Sequence, residues 1–164
     1  MRRLQRALIA ALLTSSTLAV TAAEPSLPQR QCIRLAAQHY YRRNDPIPFD
    51  GFVDITEAVF SVEGGCGRVV PNTNGSRDIG CMQINSVHLP LLATYGISEQ
   101  ALYRNECQNI MVGVWILHSG LQAAPSFWVG VGNYNSHTPI HNARYQQRVW
   151  LRLQRLWANR LATR

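Results

Sequence analysis

Residues 54–67 read DITEAVFSVEGGCG, and this stretch decides the fold prediction. Asp54 and Glu57 match the Asp-x-x-Glu pattern of a capping box, which marks the start of a helix. Apolar side chains then recur at helical spacing as far as a pair of glycines, which ends the segment. The apolar positions are Ile55, Ala58, Val59 and Val62. The pattern predicts a helix that ends at Glu63, with a strand as the competing prediction because many of its residues are β-branched.

Glu63 is the residue of this predicted helix that is best suited to chemistry. At helical spacing it lies on the edge of the apolar stripe, in the last turn. Apolar neighbours and the negative end of the helix dipole both disfavour a charged carboxylate, so we expect a raised pKa. A carboxyl group that keeps its proton near neutral pH is what a general acid needs to cleave a glycosidic bond. The alternative is an ordinary helix-end glutamate that points into water.

The segments on either side of this stretch are also mostly helical in pattern. We predict a first helix over 32–43, a small helix capped by Ser98, a strong helix over 109–121 and a long last helix from about Ala143. Residues 64–77 are rich in turn formers and predict a loop. The chain therefore reads as mainly α, in one compact domain.

The N-terminus has the pattern of a secretory signal peptide. Arginines at the start precede a short apolar run over 7–13, and small residues end the segment at Ala23. That run is shorter than the roughly 18 residues needed to span a bilayer, so no integral membrane span is expected after cleavage. We predict a signal peptide over 1–23, a short exported leader over 24–31 and a single domain over 32–164 that includes a basic C-terminal helix.

Positive charge is concentrated at the end of the chain. The whole sequence has a formal net charge of +7, and residues 144–164 hold six arginines and no acidic residue. Four of these arginines share one face of the last helix. They are Arg144, Arg148, Arg152 and Arg155. A solvated face is the first interpretation, and contact with anionic wall polymer, lipid head groups or a partner protein is the alternative. Nucleic-acid binding is not expected, because the folded body lacks a basic, aromatic-lined groove.

Four cysteines remain after the predicted signal peptide, and their even number in an exported chain favours disulfides. Three pairings are possible. We favour Cys66 with Cys81 and Cys32 with Cys107, because the first bond would close a loop rich in glycine and asparagine. No pair of cysteines has the close spacing of zinc ligands, so no metal is expected.

Other catalytic arrangements find less support in the sequence. A hydrolase with two carboxylates would need a partner for Glu63, and Asp50, Asp54 and Asp78 are candidates without a distinctive context. We expect Asp78 to bond backbone amides in the turn at 75–76. A cysteine nucleophile is disfavoured by the even cysteine count, and the glycines near 64–67 lack the lysine of a phosphate-binding loop.

Four motifs occur in order along the chain and together resemble soluble lytic transglycosylases. They are residues 62–65 (VEGG), 72–85 (NTNGSRDIGCMQIN), 133–135 (NYN) and Tyr145. The resemblance covers roughly residues 32–157. It is strongest to the small specialised enzymes that accompany conjugation, type IV pilus and type III secretion machines. Four motifs in order, together with an export signal, make this resemblance specific.

The resemblance implies a goose-type-lysozyme-like fold and cleavage of the bond between N-acetylmuramic acid and N-acetylglucosamine in peptidoglycan. It implies that Glu63 is the general acid and later the base, that the product is a 1,6-anhydro sugar, and that no cofactor or second carboxylate is needed. Asn74, Met82, Gln83, Tyr134, Asn135 and Tyr145 would bind the substrate or support the acid. The alternative for Met82 and Tyr145 is a structural position in the core. The expected location is the periplasm, with glycan strands as partner, proteins of a trans-envelope machine as further partners, and a monomeric chain.

Three positions depart from the family pattern. Gly64 follows the glutamate where many relatives have serine, Cys81 replaces a leucine-like residue, and Ser136-His137 replaces the common Ala-Gly. A Cys66–Cys81 bond would account for the first two changes by restraining the loop between the acid and the substrate-binding motif. The competing functions are a lysozyme-type hydrolase and a non-catalytic wall-binding component of the same machine.

Overall fold

The computed structural model describes residues 24–162, so the predicted signal peptide over 1–23 lies outside the described residues. The described part contains seven α-helices: α1 Leu27–Tyr40, α2 Phe49–Glu63, α3 Leu89–Ala93, α4 Glu99–Arg104, α5 Glu106–Ala123, α6 Phe127–Asn133 and α7 Pro139–Ala162. Three short strands lie between α2 and α3: β1 Val69–Pro71, β2 Arg77–Ile79 and β3 Ile84–Asn85. The prediction of a mainly α, single compact domain is confirmed.

Helix α1 begins earlier than the sequence pattern predicted. The backbone N–H of Ser26 donates to the side chain of Gln29 at 2.8 Å in a capping box, and a proline occupies the first turn. The helix therefore begins at Leu27, inside the segment predicted as a leader, and the start predicted at Cys32 is wrong. It ends at Tyr40 rather than at residue 43, because the Arg42 guanidinium turns back and donates to the last carbonyl groups.

Helix α2 confirms the helical interpretation of the opening stretch and corrects its start. The backbone N–H of Phe52 donates to the carbonyl of Pro48 at 3.0 Å, so the helix begins at Phe49. Asp54 and Glu57 are therefore interior residues and do not form a capping box. Both carboxylates instead accept hydrogen bonds from Arg160 of α7.

The core lies between α2 and the helices that pack around it. Helix α1 packs against α2 and α5, α6 packs against α5 and α7, and α7 also covers α2. The most deeply buried large side chains come from these helices and from the sheet: Tyr145, Phe52, Phe60, Ile33, Ile55, Ile79, Ile84, Ile110 and Leu117. The predicted strong helix over 109–121 lies within α5. Helix α7 begins at Pro139, ahead of the predicted start near Ala143, because proline is readily accommodated in a first helical turn.

The segment after α2 is an antiparallel three-stranded sheet in the order β1-β2-β3. Val70 of β1 lies opposite Asp78, and Asp78 lies opposite Asn85 of β3. The prediction of a loop over 64–77 is therefore wrong at the strands and holds for the turn at 72–76 between them. This register places side chains from β2 and β3 side by side beyond the end of α2.

Two disulfides connect these elements, and the pairing favoured from the sequence is confirmed. Cys32 of α1 is joined to Cys107 of α5, and Cys66 is joined to Cys81. The second bond fixes the end of α2 to the turn between β2 and β3. Among residues 24–162, no helix combines the length and the apolar character required to cross a membrane.

Candidate active site

A groove of about 590 Å³ opens between the end of α2, the sheet and the segment that joins α6 to α7. Five of the residues predicted for the site line it, and they come from separate parts of the chain. They are Glu63, Asn74, Gln83, Tyr134 and Asn135. Further polar residues contribute to the lining: Asn72, Asp78, Asn85, His88, Ser136 and His141. The groove is thus an open, mostly polar cleft of the kind that binds a hydrophilic ligand.

Glu63 reaches the groove because the helix stops directly after it. Gly64 adopts the left-handed conformation with φ +54°, and its backbone N–H donates to the carbonyl of Phe60 at 2.9 Å. A glycine tolerates this conformation without the steric penalty of a side chain, which ends the helix. Gly65 then packs against Gln83 so closely that a side chain at 65 would collide with it. The two glycines therefore allow the end of α2 that carries Glu63 to lie against the turn that carries Gln83.

The Glu63 carboxyl group is half-buried, and burial raises its pKa to about 7. Three neighbours modify this effect: the Tyr145 hydroxyl and the Arg148 guanidinium lower the pKa, and the charge of Asp78 raises it. Desolvation is the largest of these causes because an ionised carboxylate loses water contacts there that its neighbours do not fully replace. The predicted raised pKa is confirmed, and the group holds its proton in a substantial fraction of molecules near neutral pH.

Two stacked tyrosines lie beside Glu63, and one of them bonds its carboxyl group. The hydroxyl of Tyr145, a buried residue of α7, donates to Oε1 of Glu63 at 2.5 Å. The ring of Tyr134 stacks on that of Tyr145, with 6.2 Å between the ring centres. The Tyr134 hydroxyl donates to the carbonyl of Met82 at 2.7 Å. Oε2 of Glu63 accepts no hydrogen bond from residues 24–162. That oxygen is the one left to exchange a proton with a bound ligand.

The turn before β3 presents Gln83 to the groove in an uncommon conformation. Gln83 has φ +49°, and both its backbone N–H and its side-chain amide donate to the carbonyl of Gly80, at 2.9 and 2.8 Å. A left-handed backbone at a non-glycine residue persists only where its surroundings hold it, and such positions cluster at functional sites. Here the disulfide at Cys81 and the packing of Gly65 restrain the same turn.

Met82 does not line the groove as predicted. Its side chain is fully buried and points into the core, where it packs against Gly113 of α5 so closely that an added Cβ at 113 would lie 2.6 Å from the Cβ of Met82. The alternation of side chains along this turn sends Gln83 outward and Met82 inward. The contribution of Met82 to the site is its carbonyl group, which orients Tyr134.

The prediction for Asp78, which lines the groove, is wrong. Asp78 does not bond the backbone amides at 75–76. The amide of Ser76 donates to Oδ1 of Asn74 at 3.0 Å, and that of Gly75 donates to the carbonyl of Asn72. Asp78 lies in the groove, where Oδ1 accepts from Nδ2 of Asn85 at 2.7 Å. The groove therefore holds a second carboxylate, for which the sequence offered no distinctive signal.

Two further residues position the site, and the sequence analysis assigned neither of them to it. Asn109 of α5 is fully buried; its Oδ1 accepts from the backbone N–H of Met82 at 2.7 Å, and its Nδ2 donates to the carbonyl of Ile79 at 2.8 Å. Arg148 donates to the carbonyl of Val62 at 3.2 Å. A polar residue among the apolar positions of a buried helix was the signal that could have marked Asn109.

One cluster among the described residues has the composition of a metal site. It consists of Cys66, Cys81 and Glu106, whose potential ligand atoms lie within 4.8 Å of one another. Because the two sulfur atoms form a disulfide, they offer no thiolate to a metal.

Comparison with known proteins agrees with this geometry. Residues 58–151, more than half of the chain, match the family described as Transglycosylase SLT domain. The chain belongs to this family, and the resemblance inferred from the sequence motifs is confirmed. The family match begins inside α2, ends inside α7 and includes every residue of the groove.

Curated relatives show the same relationship over a similar stretch. Invasion protein IagB of Salmonella typhi is 35% identical over 94 residues, which cover 55% of this chain and 59% of that protein. Protein IpgF of Shigella flexneri is 33% identical over 86 residues, covering 51% and 57%. A putative peptidoglycan-binding-like protein of Escherichia coli is 35% identical over 85 residues, covering 51% and 54%. The chain thus spans less than two thirds of the length of these relatives.

Proposed function

We propose that this protein is a lytic transglycosylase that cleaves the β-1,4 bond between N-acetylmuramic acid and N-acetylglucosamine in peptidoglycan without consuming water. The observation that carries the proposal is the carboxyl group of Glu63, half-buried in a polar groove with a pKa of about 7. A general acid works best when its pKa lies near the working pH, because it is then protonated and still able to release the proton. Membership of the transglycosylase family supplies the substrate class.

In the first step, Glu63 protonates the glycosidic oxygen and the bond from that oxygen to C1 of the muramic sugar breaks. The N-acetylglucosamine side leaves with a free 4-hydroxyl group. The 2-acetamido oxygen of the muramic sugar stabilises the positive charge that develops at C1. Tyr145 assists because its hydroxyl holds Oε1 and leaves Oε2 to carry the proton into the groove.

In the second step, the Glu63 carboxylate acts as base. It removes the proton from the 6-hydroxyl of the muramic sugar, and the oxygen of that group attacks C1 to form a 1,6-anhydro ring. The proton that Glu63 gave to the leaving group is thereby replaced, so no water is consumed. The hydrogen bond from Tyr145 stabilises the carboxylate between the two steps, since hydrogen bonds to a charged group favour the charged form.

The polar residues of the groove are proposed to hold the sugar units. Gln83, Asn74 and Asn135 offer amide donors and acceptors in the groove that Glu63 lines. Tyr134 is proposed to orient the acetamido group or Glu63 itself, since its ring lies against that of Tyr145. Met82 is excluded from side-chain contact with sugar because it is buried in the core.

A lysozyme-type hydrolase is the second candidate, and Asp78 is the observation that favours it. This carboxylate lies in the same groove as Glu63 and is close enough to raise its pKa. In a hydrolase it would stabilise the cation at C1 or form a covalent bond to it, and water would complete the reaction. The two candidates differ in product, because only the transglycosylase leaves an anhydro end in place of a reducing end.

Replacement of Glu63 by glutamine tests the proposal directly. Purified sacculi are digested with the native chain and with Glu63→Gln, and the released muropeptides are analysed by mass spectrometry. We expect 1,6-anhydro ends from the native chain and at least about a 10³-fold lower rate from the variant, because an amide neither donates nor recovers the proton.

The matched control is Glu99→Gln, which makes the same chemical change in a surface ion pair with Arg77 away from the groove. It should keep full activity. Reducing muramic ends would favour the hydrolase. Undiminished turnover by Glu63→Gln would contradict the role of Glu63 as general acid in both mechanisms. Native protein that binds sacculi without cleaving them would indicate a wall-binding component.

We further propose that the chain is exported to the periplasm and acts there as a monomer, opening the wall locally for a conjugation, pilus or secretion apparatus. Two disulfides support an oxidising compartment. The names of the relatives, an invasion protein and a peptidoglycan-binding-like protein, support a wall-acting role connected with such an apparatus.

A further inference from the structure

A small pocket of about 130 Å³ lies beside the C-terminal end of α2, apart from the residues that line the groove. We call it the arginine pocket. Val62 forms one wall, and the remaining lining residues are Arg148, Leu151, Arg152 and Arg155 of α7. The three arginines follow at intervals of four and three, so they lie on one face of the helix. Three arginine residues therefore line one small pocket.

Among residues 24–162, no carboxylate lies within salt-bridge distance of these three arginines. No carboxylate lines the arginine pocket, and the hydrogen bond they donate to the described chain runs from Arg148 to the carbonyl of Val62 at 3.2 Å. The arginines near the middle of α2 differ from those of the arginine pocket, because Arg30 and Arg160 form ion pairs with Glu57. Like charges held together destabilise one another, and a bound anion relieves that repulsion.

The electrostatics of Arg152 agree with this description. Partial burial lowers its pKa, and the neighbouring charges of Arg155 and Arg148 lower it further. A guanidinium group presents several N–H donors in a planar fork that matches the oxygens of a carboxylate or a phosphate. The pocket thus offers the charge and the donors that a small oxyanion requires. Its volume of about 130 Å³ suits one such group rather than a membrane surface.

Arg148 links this pocket to the groove. Its guanidinium lies over the ring of Tyr145 at 5.8 Å from the ring centre, and Tyr145 in turn holds Glu63. Four groups act on the charge of the Glu63 carboxyl or face it: Tyr145 and Arg148 from α7, Asp78 from β2, and Tyr134 after α6. Of these, Arg148 is the one that also lines the arginine pocket.

We propose that the arginine pocket binds a small oxyanion, a carboxylate or phosphate group, and that the bound anion offsets the pull of Arg148 on the Glu63 carboxylate and so favours its protonated form. The link to catalysis rests on the proposed function, whereas binding and the change in Glu63 do not. Because coupling between two sites is reciprocal, protonation of Glu63 must also strengthen anion binding. The pocket therefore adjusts the acid from outside the groove.

The binding test uses sulfate, whose charge stays constant across the titration, added to the full chain against chloride at equal ionic strength. NMR of the arginine Nε–Hε groups should show saturable shifts at Arg152 and Arg155. Arg155→Gln should weaken binding about tenfold, the loss expected for one charge-assisted contact. Arg144→Gln is the matched control, since this exposed arginine of α7 does not line the pocket, and it should change affinity less than twofold.

Equal losses in Arg155→Gln and Arg144→Gln would overturn the pocket, because they would show that the charge of the whole helix attracts sulfate. Acetate and inorganic phosphate, added separately, distinguish a carboxylate source from a phosphate source, and saturable binding of either supports the proposal. Association with phosphatidylglycerol vesicles without any response to the free anions would overturn it in favour of a membrane contact.

The coupling is tested by following the Cδ signal of Glu63 through a pH titration with and without saturating sulfate. The pKa of Glu63 should rise with sulfate in the native chain, and in Arg155→Gln the same rise should require about tenfold more sulfate. An unchanged titration in the native chain, with sulfate bound, would overturn the coupling. These measurements need no turnover, so the failure of anhydro products to appear would reject the proposed function and leave this inference standing.

Discussion

Helix α2 carries two buried or half-buried glutamates, and the two have different partners. Glu57, near the middle, is 6% exposed and accepts from Arg30 at 2.9 Å and from Arg160 at 3.2 Å. Glu63, at the end, is half-buried, and its hydrogen-bond donor is the neutral hydroxyl of Tyr145. Guanidinium partners compensate a buried carboxylate for lost water, whereas one hydroxyl group compensates it only in part.

The difference shows that two carboxyl groups on one helix can be held in different ways. Glu57 is the more buried of the two, and its contacts with Arg30 and Arg160 make it a structural link between α1, α2 and α7. Glu63 has a raised pKa because burial outweighs the effects of Tyr145 and Arg148. Substitutions at each glutamate or at its partners test this difference between Glu57 and Glu63.

The largest effect on stability is expected from Glu57→Gln. Removal of one charge from a buried ion-pair network takes from both arginines the acid that they share. We expect a loss of roughly 3 kcal/mol in the free energy of unfolding, the low end for a buried pair, because both arginines are partly exposed and each keeps another acid. Urea denaturation at neutral pH measures it. Glu99→Gln, in a partly exposed pair, should lose less than about 1 kcal/mol, and equal losses would contradict the assignment.

Glu63→Gln should have the opposite effect on stability. The folded chain keeps a proton on Glu63 up to about pH 7, whereas the unfolded chain releases it near the ordinary glutamate pKa of 4.5, so native stability falls as the pH rises through this window. The variant has no such group. It should therefore be more stable than the native chain by roughly 2 kcal/mol above about pH 8 and equally stable near about pH 4. Thermal unfolding across this range checks it, and a difference that does not vary with pH would contradict it.

Tyr145→Phe should alter the acid while keeping the packing of the ring. Loss of the hydroxyl removes a hydrogen bond that lowers the pKa of Glu63, so that pKa should rise further and activity should persist to higher pH. The maximal rate should fall about tenfold, since the carboxyl group loses the donor that fixes it. Tyr95→Phe is the control, because this exposed tyrosine does not line the groove. An alkaline limb unchanged in Tyr145→Phe would contradict the role of its hydroxyl.

The sequence predicted those features of the site that depend on neighbours along the chain. The apolar stripe of α2, the glycines that end it and the edge position of Glu63 all lie within one short window. The raised pKa follows from that window because desolvation is its largest cause. The pairing of Cys66 with Cys81 was also accessible, since the bond closes a loop of local sequence.

Features that depend on distant partners were not predictable in this way. The pattern of Asp54 and Glu57 matches a helix start, and only the position of Arg160, far along the chain, shows that both are interior residues. Asp78 reaches the groove because of the register between β2 and β3. The inward direction of Met82 depends on the left-handed conformation at Gln83. A glutamine does not indicate this conformation in a sequence.

Asp78→Asn should give the smallest effect, and its direction is opposite to that of Tyr145→Phe. The charge of Asp78 raises the pKa of Glu63, so its removal should lower that pKa and move the alkaline limb of activity to lower pH. The shift should be modest because Asp78 is the least of the named causes and is partly exposed. Asp50→Asn, at a highly exposed residue paired with Arg34, should leave the limb unchanged. If Asp78→Asn moves the limb to higher pH, Asp78 does not act on Glu63 through its charge. If the variant also loses its products while the Glu63 titration stays intact, Asp78 takes part in the chemistry itself and the hydrolase mechanism gains support.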